Sequence, residues 1–205
     1  MDWEIYGAFV AASALLLVSP GPTVMLVTGY ALSHGRRSAW FTVVGVGLGD
    51  LTALSLSLAG MGALLAASAA AFNLLKYLGA AYLFYLGLRM WRQGGSPVPE
   101  ARRAASGRAM LGRAYLVTAL NPKSIIFFVA FLPQFLCPER PVWPQLLLLG
   151  TTFVFLAVVN AAAYANAAGS LAGWLRRPQA QRNLHRLGGG ALMGAGLLAA
   201  LWRRA

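Results

Sequence analysis

The chain alternates between long apolar runs and short polar punctuation. A helix that crosses a bilayer needs about 20 mainly apolar residues, and it must satisfy its own backbone because lipid offers no hydrogen-bond partner. Six runs meet that requirement, at 5–33, 39–65, 70–92, 111–136, 143–174 and 185–202. The connectors at 33–38, 66–69, 137–142 and 175–184 are short. The one long connector begins Gln93-Gly94-Gly95-Ser96-Pro97-Val98-Pro99 and continues as a basic stretch. Glycine, proline and charge together make it a solvated loop. It separates a first half, 1–92, from a second, 111–205, with 93–110 between them. The expected fold is all-α: a single polytopic membrane domain of about six transmembrane helices.

Two of the runs are interrupted. Pro20 and Pro22 stand inside the first, and Pro122 inside the fourth. Proline has no N–H, so the carbonyls of Leu16, Val18 and Thr118 lose their helical donors. Gly21-Pro22 and Asn121-Pro122 fall at corresponding places in the two halves. Leu78-Gly79, Leu83 and Gly87-Leu88 recur with the same spacing as Leu187-Gly188, Leu192 and Gly196-Leu197. Three spans per half would force the halves into opposite orientations, the inverted-repeat plan of many secondary transporters. Spans 1 and 4 are then the broken helices.

Composition agrees. Of 205 residues, 59% are hydrophobic and 11% charged, against roughly a quarter charged in a soluble domain. The net charge of +12 does not indicate nucleic-acid binding, which needs a continuous exposed basic surface. The arginines instead cluster between apolar runs: Arg36 and Arg37; Arg102, Arg103 and Arg108; Arg176, Arg177 and Arg182. Cytoplasmic loops carry such an excess. Loops 1, 3 and 5 are therefore expected inside and both termini outside, although Arg203-Arg204 pulls the other way. The start, Met1-Asp2-Trp3-Glu4, is acidic rather than basic, so the first run reads as a retained span, not a cleaved signal. A lone Cys137 excludes an internal disulfide and a cysteine metal cluster. His34 and His185 sit at the edges of runs and read as interfacial polar residues.

Few polar residues lie within the spans. Asp50 is the one acid well inside, after Gly45, Gly47 and Gly49. A carboxylate at that depth costs a few kcal/mol and faces a cavity or a partner, so Asp50 is expected to carry a proton, to bind an ammonium group, or to alternate between the two. The glycines allow close approach of a helix or a substrate. Around the breaks, Pro20, Gly21, Pro22 and Thr23, and Asn121 with Lys123, are the expected substrate-binding positions, since matched interruptions mark transporter sites. Lys123 has two readings. It could hold a carboxylate beside a restarting helix, or it could pair with Asp50. Asn160 and Tyr164, four apart on one face, either contact substrate or link helices. Gly190 to Gly194 matches a small-residue contact motif and suggests a homodimer. No catalytic constellation, metal cluster or phosphate loop is present in the sequence, so neither an enzyme nor a cofactor is expected.

These residues resemble the lysine-exporter (LysE-type) superfamily, closest to its homoserine/threonine and neutral amino-acid efflux branch. The resemblance rests on Ser19-Pro20-Gly21-Pro22, the glycine-rich approach to Asp50, Lys76-Tyr77-Leu78-Gly79 through Leu86-Gly87, and Asn121-Pro122-Lys123 with the phenylalanines after it. It covers nearly the whole chain. It implies a bacterial inner-membrane exporter of amino acids driven by the proton gradient, with polar motif positions at Asp50, Asn121 and Lys123. The alanine-rich fifth span departs from the pattern. A neutral amino acid offers one ammonium and one carboxylate, which Asp50 and Lys123 could match, and no second intramembrane acid is present for lysine or arginine. Export of basic amino acids or small cations, and a non-transporting scaffold, are the alternatives.

Overall fold

A computed structural model describes residues 2–18, 21–67, 69–92, 106–137, 140–175 and 178–201, and these are helical almost throughout. The first broken run is α1 (Trp3–Val18) and α2 (Pro22–His34). Gly35, with φ of 81°, makes the turn into α3 (Arg36–Ala67). Left-handed backbone of that kind favours glycine. After α3 comes α4 (Ala69–Arg92). The second broken run is α5 (Gly107–Ala119), started by a Ser106 cap that accepts from the Ala109 N–H, and α6 (Pro122–Ile126). It continues as a π-helical turn, Phe127–Phe131, and a 3-10 turn, Leu132–Phe135. Two long helices close the chain, α7 (Val142–Leu175) and α8 (Pro178–Leu201).

The connectors are tighter than their composition suggests. Residues 33–38 shrink to the single hinge Gly35, and 178–184, expected as loop, form the first turns of α8. Arg182 there does not break the helix, because arginine is a good helix former.

Segments Ala39–Gly62 and Val142–Ala168 are each long and apolar enough to cross a membrane. The pair α1–α2, bent by 54°, and the pair of α5 with the run Pro122–Phe135, bent by 40°, also qualify when each is taken as one span. α4 and α8 do not pass the same test of length and apolarity among the described residues. Arg89 and Arg92 end α4, and Arg182 and Arg186 lie near the start of α8. Against the expectation of about six spans, the described residues supply two by these criteria, and up to four if each bent pair counts as one.

Two hydrophobic clusters form the interior. One gathers Phe9, Phe127, Phe128, Phe131 and Phe153 with Leu132 and Leu149. The rings of Phe127 and Phe128 each lie 4.8 Å from that of Phe153. The other joins Val27, Val43 and Val46 to Ala114, Ala161 and Ala165. Glycine sets two close helix crossings. A Cβ on Gly45 would lie 2.5 Å from the Leu111 carbonyl, and one on Gly49 would lie 2.8 Å from the Tyr115 carbonyl, so α3 lies against the α5 backbone. α4 meets α8 reciprocally: a Cβ on Gly87 would stand 2.5 Å from the Gly189 carbonyl, and one on Gly189 would stand 2.5 Å from the Gly87 carbonyl. Gly87, whose repeat counterpart in the sequence is Gly196, is in contact with Gly189.

Candidate functional site

The carbonyls freed by the first break are filled from the second half of the chain. The Lys123 ammonium donates to the Leu16 carbonyl at 2.9 Å. The Asn160 amide donates to the Leu17 carbonyl at 3.1 Å, and the Tyr164 hydroxyl to the Val18 carbonyl at 2.9 Å. Three successive carbonyls at the end of α1 are thus held by side chains from α6 and α7. Buried or lipid-facing carbonyls need such partners. In these bonds Asn160 and Tyr164 link helices.

The second break resolves itself differently. The Asn121 N–H turns back to the Thr118 carbonyl at 3.0 Å, so no remote donor is needed there. The Asn121 side chain caps α6 by accepting from the Lys123 N–H at 3.1 Å. That cap occupies a backbone donor that might have faced a carboxylate, leaving the Lys123 ammonium as the feature of this break that suits an anion. By contrast α2 begins at Gly21, which has no side chain to cap it, followed by Pro22, which has no N–H to offer. A Cβ on Gly21 would lie 3.5 Å from Lys123 Nζ, which puts the cation beside that helix start. Thr23 and Thr118 bridge the two breaks through their hydroxyls at 3.3 Å.

Asp50, 2% exposed, faces this junction from α3. The Ser124 hydroxyl donates to its carboxylate, and Lys123 is near enough to act on it electrostatically. Its Oδ1 is buried without a hydrogen-bond partner among the described residues. A buried acceptor in that condition costs about 1–3 kcal/mol and marks a place where a donor belongs.

One cavity joins these groups. Asp50, Asn121, Lys123 and Ser124 line it together with Gly21, Thr23 and Asn160. Its apolar wall comes from both hydrophobic clusters, with Phe153 and Ala157 from one and Val27, Val46 and Ala161 from the other. The polar layer therefore sits at the seam between them. Of the expected positions, six meet here. Pro22 starts α2 and Tyr164 holds the Val18 carbonyl, and neither lines the cavity. Pro20 lies outside the described residues. Ser124, which the sequence offers only as a polar group at the second break, directly follows Lys123 and lines the cavity as well. His185, expected as an interfacial polar residue, is 3% exposed within the helix packing, and neither ring nitrogen has a partner among the described residues.

Comparison with known proteins leads to the same place. Residues 14–202 match the family model described as LysE type translocator. A homoserine/homoserine lactone efflux protein of Salmonella typhimurium is 34% identical over the full length of both chains. An uncharacterised membrane protein of Vibrio cholerae is 35% identical over 98% of each. A leucine efflux protein of Enterobacter is 31% identical over 64% of this chain and 63% of its own. No solved structure matches. With nearly the whole chain matched, and with two broken helices meeting at a buried carboxylate, the chain belongs to the LysE type translocator family.

Proposed function

We propose that this chain exports neutral amino acids, such as homoserine, threonine or leucine, across the bacterial inner membrane in exchange for protons. The observation that carries this reading is buried Asp50, whose Oδ1 has no hydrogen-bond partner among the described residues, in a cavity that Lys123 also lines. The two charges match the two ends of a zwitterion. Asp50 receives the ammonium, while Lys123, beside Gly21 at the start of α2, receives the carboxylate. A basic substrate would bring a second cation next to Lys123 and is disfavoured by repulsion. The relatives named for homoserine and leucine efflux support the same substrate class.

In the cycle, Asp50 takes a proton from the outer side as it releases substrate. It becomes anionic again when that proton leaves inward. Each ammonium bound is thereby exchanged for one proton, and the carboxylate is never buried charged and alone. Rocking of two inverted three-span halves about the broken helices would expose the cavity to each side in turn. In this scheme α4 and α8 serve as the third and sixth spans, loops 1, 3 and 5 face the cytoplasm and the termini face the periplasm. A homodimer at the Gly190–Gly194 motif would fall to exposed Gly194, because Gly190 already packs against Trp91.

The test is efflux from cells preloaded with a panel of amino acids, comparing wild type with Asp50→Asn. The expected result is saturable, uncoupler-sensitive loss of neutral amino acids from wild-type cells and none above background from the variant. Efflux that survives in Asp50→Asn at the wild-type rate would remove Asp50 from the mechanism.

A further inference from the structure

The cavity has a chemically distinct apolar side. Phe153, Ala157 and Ala161 follow one another at four-residue intervals on α7, share a face and all line the cavity. Val27 and Val46 line it too, and they belong to the same hydrophobic cluster as Ala161. Val46 is one turn from Asp50 along α3, so the carboxylate and the apolar wall adjoin. None of these five side chains carries a hydrogen-bonding group. Asn160, the polar α7 residue of the lining, has given an amide N–H to the Leu17 carbonyl.

Resting on the amino-acid reading above, we infer that Ala157 and Ala161 form the side-chain subsite and set both the size and the polarity of the substrate accepted. A zwitterion held at Asp50 and Lys123 has its own side chain left to place, and this wall is the apolar surface next to the charged pair. Ala157 and Ala161 are the small residues of this α7 face, one and two turns beyond Phe153, so a substrate side chain laid along it meets methyl groups rather than a ring. With no donor or acceptor to meet a hydroxyl, the subsite prefers leucine to homoserine or threonine. The alanine-rich character of α7, unassigned by the sequence, acquires a role.

Three single variants test this in the efflux assay, with leucine, alanine and homoserine as substrates. Ala157→Val and Ala161→Val are expected to lower the leucine-to-alanine rate ratio by roughly tenfold, the scale of one or two misfit methylenes in an apolar pocket. Ala161→Ser, which barely changes volume, is expected to shift the leucine-to-homoserine ratio toward homoserine and guards against failure of the valine variants to fold. Ratios equal to wild type in all three, or equal loss of every substrate, would overturn the subsite. Wild-type protein that exports homoserine but no leucine would also overturn it while leaving the amino-acid reading intact. Export of no amino acid at all would sink both.

Discussion

Gly49 shows what a single missing side chain does. Its Cα faces the α5 backbone so closely that a Cβ would lie 2.7 Å from the Thr118 Cβ and 2.8 Å from the Tyr115 carbonyl. Backbone cannot yield as a side-chain tip can, so any larger residue separates α3 from α5. Gly49→Val is expected to lower stability by about 1–3 kcal/mol and to displace Asp50, its neighbour, from the Ser124 hydroxyl. Thermal unfolding in detergent and the efflux rate should fall together. Asn160 illustrates the opposite case, a polar group whose loss strands a partner. Asn160→Ala leaves the Leu17 carbonyl without its donor, at a cost of about 1 kcal/mol, read as a lower unfolding temperature. The sequence made Asp50, Asn121 and Lys123 visible because an ion or amide is conspicuous against apolar neighbours. It could not show which carbonyl Lys123, Asn160 or Tyr164 reaches, since those partners lie more than a hundred residues away. His185 was hidden for a related reason. Its polar neighbours Arg182 and Arg186 resemble an interface, and only the packing of α8 shows the ring turned inward.

At the scale of elements the two breaks are legible, because proline deletes a donor wherever it stands. Their repair is not. The first break needs three remote side chains, whereas the second closes on itself through the Asn121 N–H and the Thr118 carbonyl. This asymmetry separates the effects of the prolines. Pro122→Ala restores an N–H whose helical acceptor is Thr118, in competition with the existing Asn121 bond. The fourth span is then expected to straighten, moving Lys123 away from Leu16 and Gly21. Efflux should drop at least tenfold with little loss of stability, because a helical bond replaces a turn bond. A rate near that of wild type would show that the second bend is dispensable. The register between halves was the least legible feature at this scale. Glycine and leucine recur too often in apolar helices to fix an offset, and the contact of Gly87 with Gly189 locates the α4–α8 crossing without setting that register.

For the molecule as a whole, two contacts constrain which ends share a side. Asp2 pairs with Arg140 at 3.3 Å, with both side chains more than half exposed. An exposed pair contributes little stability, but it places the N-terminus beside the segment after the second broken run. The Arg113 guanidinium donates to the Tyr30 hydroxyl at 3.0 Å, which places the second half of α2 beside the middle of α5. α3, with 32 residues and about 48 Å of rise, is long enough to carry the chain from one side to the other. Between Asp2 and Arg140 lie the first broken run, α3, α4 and the second broken run. Their ends share a side only if an even number of these cross. If α3 and α4 both cross, the two broken runs therefore behave alike, both spanning or both re-entrant. Membrane-impermeant thiol labelling decides between these, and Cys137 is buried enough to give a low background. Trp3→Cys, at a position 85% exposed, and Arg108→Cys are separated by three crossings if both runs span and by two if both are re-entrant. The expected outcome is that Trp3→Cys labels in intact spheroplasts and Arg108→Cys only after permeabilisation. Labelling of both from one side would make the broken helices re-entrant and end the rocking scheme. Labelling in the reverse order would keep that scheme and invert the orientation inferred from the arginine clusters.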